Sequence, residues 1–157
     1  MKIVFDMDGT IADLYGVPCW LEKLRAYDST PFAHAKPMWD MKTLSSICES
    51  LATSGIEIII VTWLSKESTK DYDAEVAQVK KEWLEKNGFY YNQFHAVSYG
   101  VPKNEVVKPY LRKNEKAILI DDNAEVRKAW TLGDTINPQT ENILKILKEI
   151  SKNPLTN

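Results

Sequence analysis

Residues 1–16 read MKIVFDMDGTIADLYG, and the fold follows from how this stretch ends its first strand. "KIVF" (2–5) is short, apolar and rich in β-formers, so it reads as a strand. Asp6 and Asp8 follow at once, one residue apart, and Gly9-Thr10 turns the chain. Like charges this close disfavour one another's ionisation. A strand that ends in such a pair needs positive charge beyond its carboxyl end.

Four further runs have the same character: "IEIIIVT" (56–62), "FHAVS" (94–98), "KAILID" (116–121) and the short "GDTIN" (133–137). Helical spacing separates them. Leu44, Ile47, Cys48 and Leu51 share one helix face, as do Val76, Val79, Trp83 and Leu84, and Ile143, Ile146, Leu147 and Ile150. Gly55 and Gly88 follow the first two of these helices as stop signals. Near-continuous apolar strands alternating with amphipathic helices predict a three-layer α/β, Rossmann-like fold. Its central sheet is expected to be five-stranded and mainly parallel. Length predicts a single domain over 1–157. The segment 15–40, with prolines at 18, 31 and 37, is too long for a simple loop and reads as a minimal cap-like insertion after strand one. The tail SKNPLTN (151–157) is expected to fray.

The formal net charge of -2 points away from a broad nucleic-acid or membrane surface. No apolar run approaches the roughly 20 residues of a membrane span. Cys19 and Cys48 lack metal-type spacing and read as free thiols, which with the absence of a leader pattern predicts a cytoplasmic setting.

In a parallel sheet, ligands sit beyond the carboxyl ends of the strands. Asp6 and Asp8 end the first strand, Thr62 the second, and Asp121 and Asp122 the fourth. Converging carboxylates call for a hard divalent cation, and Mg²⁺ is the usual answer. Lys103, behind Pro102 at a helix start, supplies positive charge; Lys108 is its rival, about 7.5 Å further along a helix axis. A lone Asp at a strand end is most often a cap or turn residue, so the ordered set carries the argument.

That set, "DMDGT" (6–10), "VT" (61–62), "PK" (102–103) and "IDDN" (120–123), resembles the four motifs of the haloacid dehalogenase-like (HAD) phosphohydrolases. The opening "DMDGTIADLYG" (6–16) is also similar, more loosely, to their 5′(3′)-deoxyribonucleotidase branch. The resemblance implies a Mg²⁺-dependent phosphomonoesterase working through an aspartyl-phosphate on a small phosphorylated metabolite, a nucleoside monophosphate among the candidates. Asp6 is then the nucleophile and Asp8 the acid/base. Asp6, Asp8, Asp121 and Asp122 surround the metal, Asp8 with its backbone carbonyl. Thr62 and Lys103 contact the phosphoryl group, with Gly9 and Thr10 at the turn of the substrate site; Trp63, right after Thr62, reads as substrate-facing by its position alone.

In the insertion, Trp20 and Leu21 read as the buried face of a short helix. Lys80 and Lys81 read as a solvated face, Glu125 as an exposed helix residue, and Trp83 and Trp130 as core. His34 and His95 read as surface or structural. Three other functions compete: a phosphatase of nucleic-acid ends, which the acidic charge disfavours; a catalytically idle binding domain, which would not need Asp8; and a receiver-type phospho-acceptor. The last places its acceptor Asp after the third strand, where "FHAVSYG" (94–100) offers none.

Overall fold

The structure, a computed structural model, describes residues 1–152. Its strands are β1 (Lys2–Phe5), β2 (Ala12–Asp13), β3 (Lys36–Pro37), β4 (Glu57–Trp63), β5 (Gln93–Val97), β6 (Ala117–Ile120) and β7 (Thr135–Ile136). Its helices are α1 (Trp20–Arg25), α2 (Thr30–His34), α3 (Met41–Thr53), α4 (Lys70–Lys86), α5 (Lys103–Val107), α6 (Ala124–Ala129) and α7 (Ile143–Lys152). Ser151 and Lys152 belong to α7; the rest of the tail expected to fray lies outside the described residues.

Five strands form one sheet in the order β5-β4-β1-β6-β7, and every pairing in it is parallel. The chain moves outward from β1 through β4 to β5, then crosses back to β6 and β7. The order reverses beside β1 and β6, which is where such sheets open a crevice at their carboxyl ends. Register then decides which side chains meet. Phe5 pairs with Ile60 on one side and Ile120 on the other. The next residues, Asp6 and Asp121, therefore reach the crevice at one level, and the Asp6 N–H donates to the Ile120 carbonyl at 2.9 Å.

Alternation along the strands builds the two faces. Ile3, Phe5, Ile58 and Ile60 pack with α3, α7 and the Trp83-Leu84 end of α4. Val4, Ile59, Val61 and Leu119 pack with Val107 of α5, Val126 of α6 and Trp130. Asp40 caps α3 by accepting from the Thr43 N–H at 2.7 Å, and Thr69 caps α4 by accepting from the Tyr72 N–H.

The segment 15–40 folds as α1 and α2, closed at its base by the antiparallel pair of β2 with β3. It leans on α4. Leu14 and Phe32 share a buried cluster with Tyr72 and Val76. The Tyr72 hydroxyl donates to the Asp28 carbonyl at 3.0 Å, and the Trp83 indole N–H donates to the Ala35 carbonyl at 2.7 Å. The expectation for Leu21 is corrected here: it is exposed, and no residue of α1 is fully buried. Trp20 is half-buried against the core and, with Leu21 and Leu24, also lines an open cavity.

Candidate active site

At the carboxyl ends of β1 and β6, oxygen atoms of Asp6, Asp121 and Asp122 lie within 4.8 Å of one another. Lys103, 3% exposed, opens α5 and extends its ammonium between two of them. It donates to Asp6 Oδ1 at 2.5 Å and Asp121 Oδ2 at 2.8 Å. Lys108 sits in the following 3₁₀ turn and is exposed. Asp121 is held from its other side as well, its Oδ1 accepting the Asn123 N–H at 2.9 Å.

The turn after Asp6 is tied to the loop after β6. Thr10, fully buried, donates weakly to Asp6 Oδ2 at 3.5 Å and accepts the Asp122 N–H at 3.2 Å. Gly9 has φ +77°, and a Cβ there would come within 2.5 Å of Asp122 Oδ2 and 2.6 Å of Tyr15 Cε2. Both the backbone conformation and the close approach require glycine.

Asp8 points elsewhere. Its carboxylate lies outside the group formed by Asp6, Asp121 and Asp122, and its Oδ2 accepts from the Lys80 ammonium at 2.5 Å. Lys80 also donates to Thr62 Oγ1 and to the Trp63 carbonyl, each at 2.8 Å. The solvated-face reading of Lys80 is therefore corrected, because the side chain is completely buried. The signal was available in its spacing. Lys80 lies four residues from both Val76 and Leu84, inside the apolar stripe of α4 rather than opposite it.

Burial and crowding set the protonation of the cluster. Asp122 is pushed up to about 7, first by burial and then by the charges of Asp6 and Asp121. Asp121 rises to about 6, by burial and the neighbouring Asp6 charge, against the pull of Lys103. Burial also raises Asp8, with Lys80 opposing. Burial alone would depress Lys103, but Asp6 and Asp121 more than offset it and hold the ammonium above its ordinary range.

Four carboxylates face two ammonium groups, so two negative charges remain when all are ionised. A divalent cation on hard oxygen donors matches that excess. The donor set fits Mg²⁺.

Above the cluster opens a cavity of about 540 Å³. Tyr15, Trp20, Tyr27 and Phe32 of the insertion line it, with Arg25 among them, together with Trp63 and Tyr99. Trp63 is fixed by its indole N–H donating to the Val101 carbonyl at 2.8 Å, and it packs on Tyr99 at 4.9 Å between ring centroids. Glu125 is exposed, as expected. His95 lies on the edge strand β5 with its ring on Gln93 and Tyr110, and His34 is exposed at the end of α2. Neither approaches the cluster by any hydrogen bond among the described residues.

No protein-family model matches the sequence, and no curated protein matches it. Solved structures do. D,D-heptose 1,7-bisphosphate phosphatase from B. bronchiseptica, complexed with magnesium and phosphate, aligns with a TM-score of 0.53 at 10% identity, over 82% of this chain and 74% of that one. A HAD-like protein from Mesorhizobium loti gives 0.51 at 18% identity, over 82% of this chain and 66% of the other. The heptose bisphosphate phosphatase from Burkholderia thailandensis gives 0.49 at 11%, over 82% and 70%. The chain has the HAD fold. At these identities the likeness is one of architecture, and the HAD fold here carries its acidic cluster at the β1/β6 crevice. Among the described residues no helix is long and apolar enough to cross a membrane.

Proposed function

We propose that the protein is a Mg²⁺-dependent phosphomonoesterase that works through an aspartyl-phosphate on Asp6. The observation that carries this reading is the meeting of Asp6, Asp121 and Asp122 around the buried Lys103 ammonium. Phosphate esters resist attack because their oxygens are already negative, so catalysis is mainly positioning and charge neutralisation. Asp6, Asp121 and Asp122 would hold Mg²⁺, with the Asp8 backbone carbonyl as a further donor. Bound there, the ion supplies positive charge to the phosphoryl oxygens and to the attacking carboxylate.

In the first step, one Asp6 carboxylate oxygen bonds to phosphorus as the ester P–O bond breaks. The bond pair leaves with the ester oxygen, which takes a proton from Asp8. In the second step, water attacks phosphorus and gives a proton to Asp8, and the Asp6–phosphorus bond breaks to restore the carboxylate. Lys103 balances charge on Asp6 throughout. Thr62 donates its hydroxyl hydrogen to the phosphoryl group, since its oxygen already accepts from Lys80. Gly9 and Thr10 shape the turn on which the group rests.

The cavity supports a small substrate over a nucleic-acid end, because its volume of about 540 Å³ suits a small molecule and residues of the insertion line it. A lining rich in aromatic rings, with Arg25 among them, suits a flat, polar-edged group such as a nucleobase, which favours a nucleoside monophosphate. The test is phosphate release from p-nitrophenyl phosphate and from a panel of 5′- and 3′-mononucleotides, sugar phosphates and oligonucleotide ends. Release should require Mg²⁺, stop with EDTA and disappear in Asp6→Asn. Undiminished turnover by Asp6→Asn would remove the nucleophile and the reading with it.

A further inference from the structure

We infer that Lys80 is a positioning residue of the active site, one that holds Asp8 and Thr62 in their working orientations. The inference rests on the phosphatase reading above. Lys80 lies outside every motif considered in the sequence, on the third turn of α4, yet its buried ammonium reaches Asp8 after β1 and Thr62 at the end of β4. An ammonium has three hydrogens to donate. Here three oxygens receive them: Asp8 Oδ2, Thr62 Oγ1 and the Trp63 carbonyl. The Phe32 ring of the insertion lies 4.8 Å from the same nitrogen and helps to seal it from water.

Each contact has a chemical consequence. The Trp63 carbonyl belongs to the end of β4, so it anchors the ammonium to the sheet. With Oδ2 of Asp8 engaged, Oδ1 is the oxygen left to exchange a proton with the leaving group. With the Thr62 oxygen accepting from Lys80, the hydroxyl hydrogen must turn to another acceptor, and the phosphoryl group is the one the reaction brings. Lys80 thereby sets two groups on separate elements at once.

Stability alone does not account for a lysine here. Placing an ammonium in a fully buried position costs desolvation, and well-packed apolar side chains commonly replace buried ion pairs without loss. The position lies in an apolar stripe where methionine would have comparable length.

The experiment compares first-turnover leaving-group release from two substrates, an alkyl phosphate followed by quenched flow and 2,4-dinitrophenyl phosphate followed by stopped flow. Dinitrophenolate leaves without a proton, so its departure does not depend on Asp8. Lys80→Met should slow alkyl release on the order of 100-fold, the scale of a general-acid contribution. Dinitrophenolate release should slow less than alkyl release, by the Thr62 share alone, and KM should change little. Because removing one member of a buried pair can prevent folding, the double variant Asp8→Asn/Lys80→Met is measured beside Asp8→Asn. In it the pair is neutralised together, and alkyl release should be no more than about tenfold slower than in Asp8→Asn alone. Equal losses on both esters, or a loss in the double variant equal to the product of the two single losses, would make Lys80 a structural residue and overturn the inference. Wild-type rates in Lys80→Met would do the same. A wild-type protein that releases phosphate from no ester fails the parent reading instead, and this inference falls with it.

Discussion

Replacing Lys103 by methionine separates the electrostatic account from simple packing. The side chain length is kept, so the cavity term is small, and what is lost is one ammonium shared by two carboxylates. Lys103 is 3% exposed and Asp121 is 1% exposed, so water cannot replace the missing charge without opening the site. Removing one partner of such a pair costs about 3–5 kcal/mol. For a domain of this size each kcal/mol moves the melting temperature by about 2–4 °C, so a fall of roughly 6–20 °C is expected at pH 8 in EDTA. The sign with pH follows from the groups involved. The Lys103 pKa is raised in the folded protein, so its contribution is fully present below its unfolded value and is constant through neutral pH. The gap between variant and wild type should instead narrow as pH falls toward about 6, because Asp121 without the ammonium takes up its proton at higher pH than in wild type. Added Mg²⁺ should restore much of the lost stability, because it brings positive charge to the same oxygens. Activity should stay low, by about 10²–10³, since one preorganised donor to the reacting charge is gone. Differential scanning calorimetry with and without Mg²⁺ reads the stability, and phosphate release reads the activity. An unchanged melting temperature in EDTA, with Mg²⁺ adding nothing, would refute the electrostatic reasoning.

Three other outcomes are expected. Asp121 and Asp122 have raised folded-state pKa values, so the stability they contribute is present at low pH and lost as pH rises through about 6 and 7; metal-free wild type should melt lower at pH 8 than at pH 6, and Mg²⁺ should raise the melting temperature more at pH 8. A Mg²⁺ effect equal at the two pH values would contradict this. Gly9→Ala should cost at least about 1–2 kcal/mol from the left-handed backbone alone and weaken Mg²⁺ binding by displacing Asp122, both measurable by denaturation and calorimetric titration. Lys108→Ala, at an exposed position, should stay within about 0.5 kcal/mol of wild type in urea denaturation and keep its turnover.

The parallel sheet is legible in the sequence because strands buried on both faces must be apolar throughout, and "IIIV" (58–61) or "AILI" (117–120) has few other uses. The meeting of Asp6 with Asp121 is legible for a related reason: both end central strands, and a sheet gathers such ends at one rim. Lys80 is not legible by composition, because a lysine beside Lys81 on a long helix reads as solvated. Only its place in the Val76–Leu84 stripe marks it as inward, and charge normally outweighs position in such a reading. The two-residue strands β2 and β3 carry too few residues for any periodicity, and Lys36-Pro37 looks like a turn. The exposure of Leu21 escapes for a different reason. A cavity lined by Trp20 and Leu21 has the same apolar signature as a core until the opposite wall is known.

The claim on which the account turns is that Asp6 accepts a phosphoryl group only when the acidic cluster holds its metal. Acid quenching during turnover, followed by peptide mass spectrometry, tests it directly. A phosphoryl adduct on Asp6, present with Mg²⁺ and absent with EDTA, is the predicted result. Turnover with no adduct, or with the adduct on Asp8 or a histidine, would contradict it.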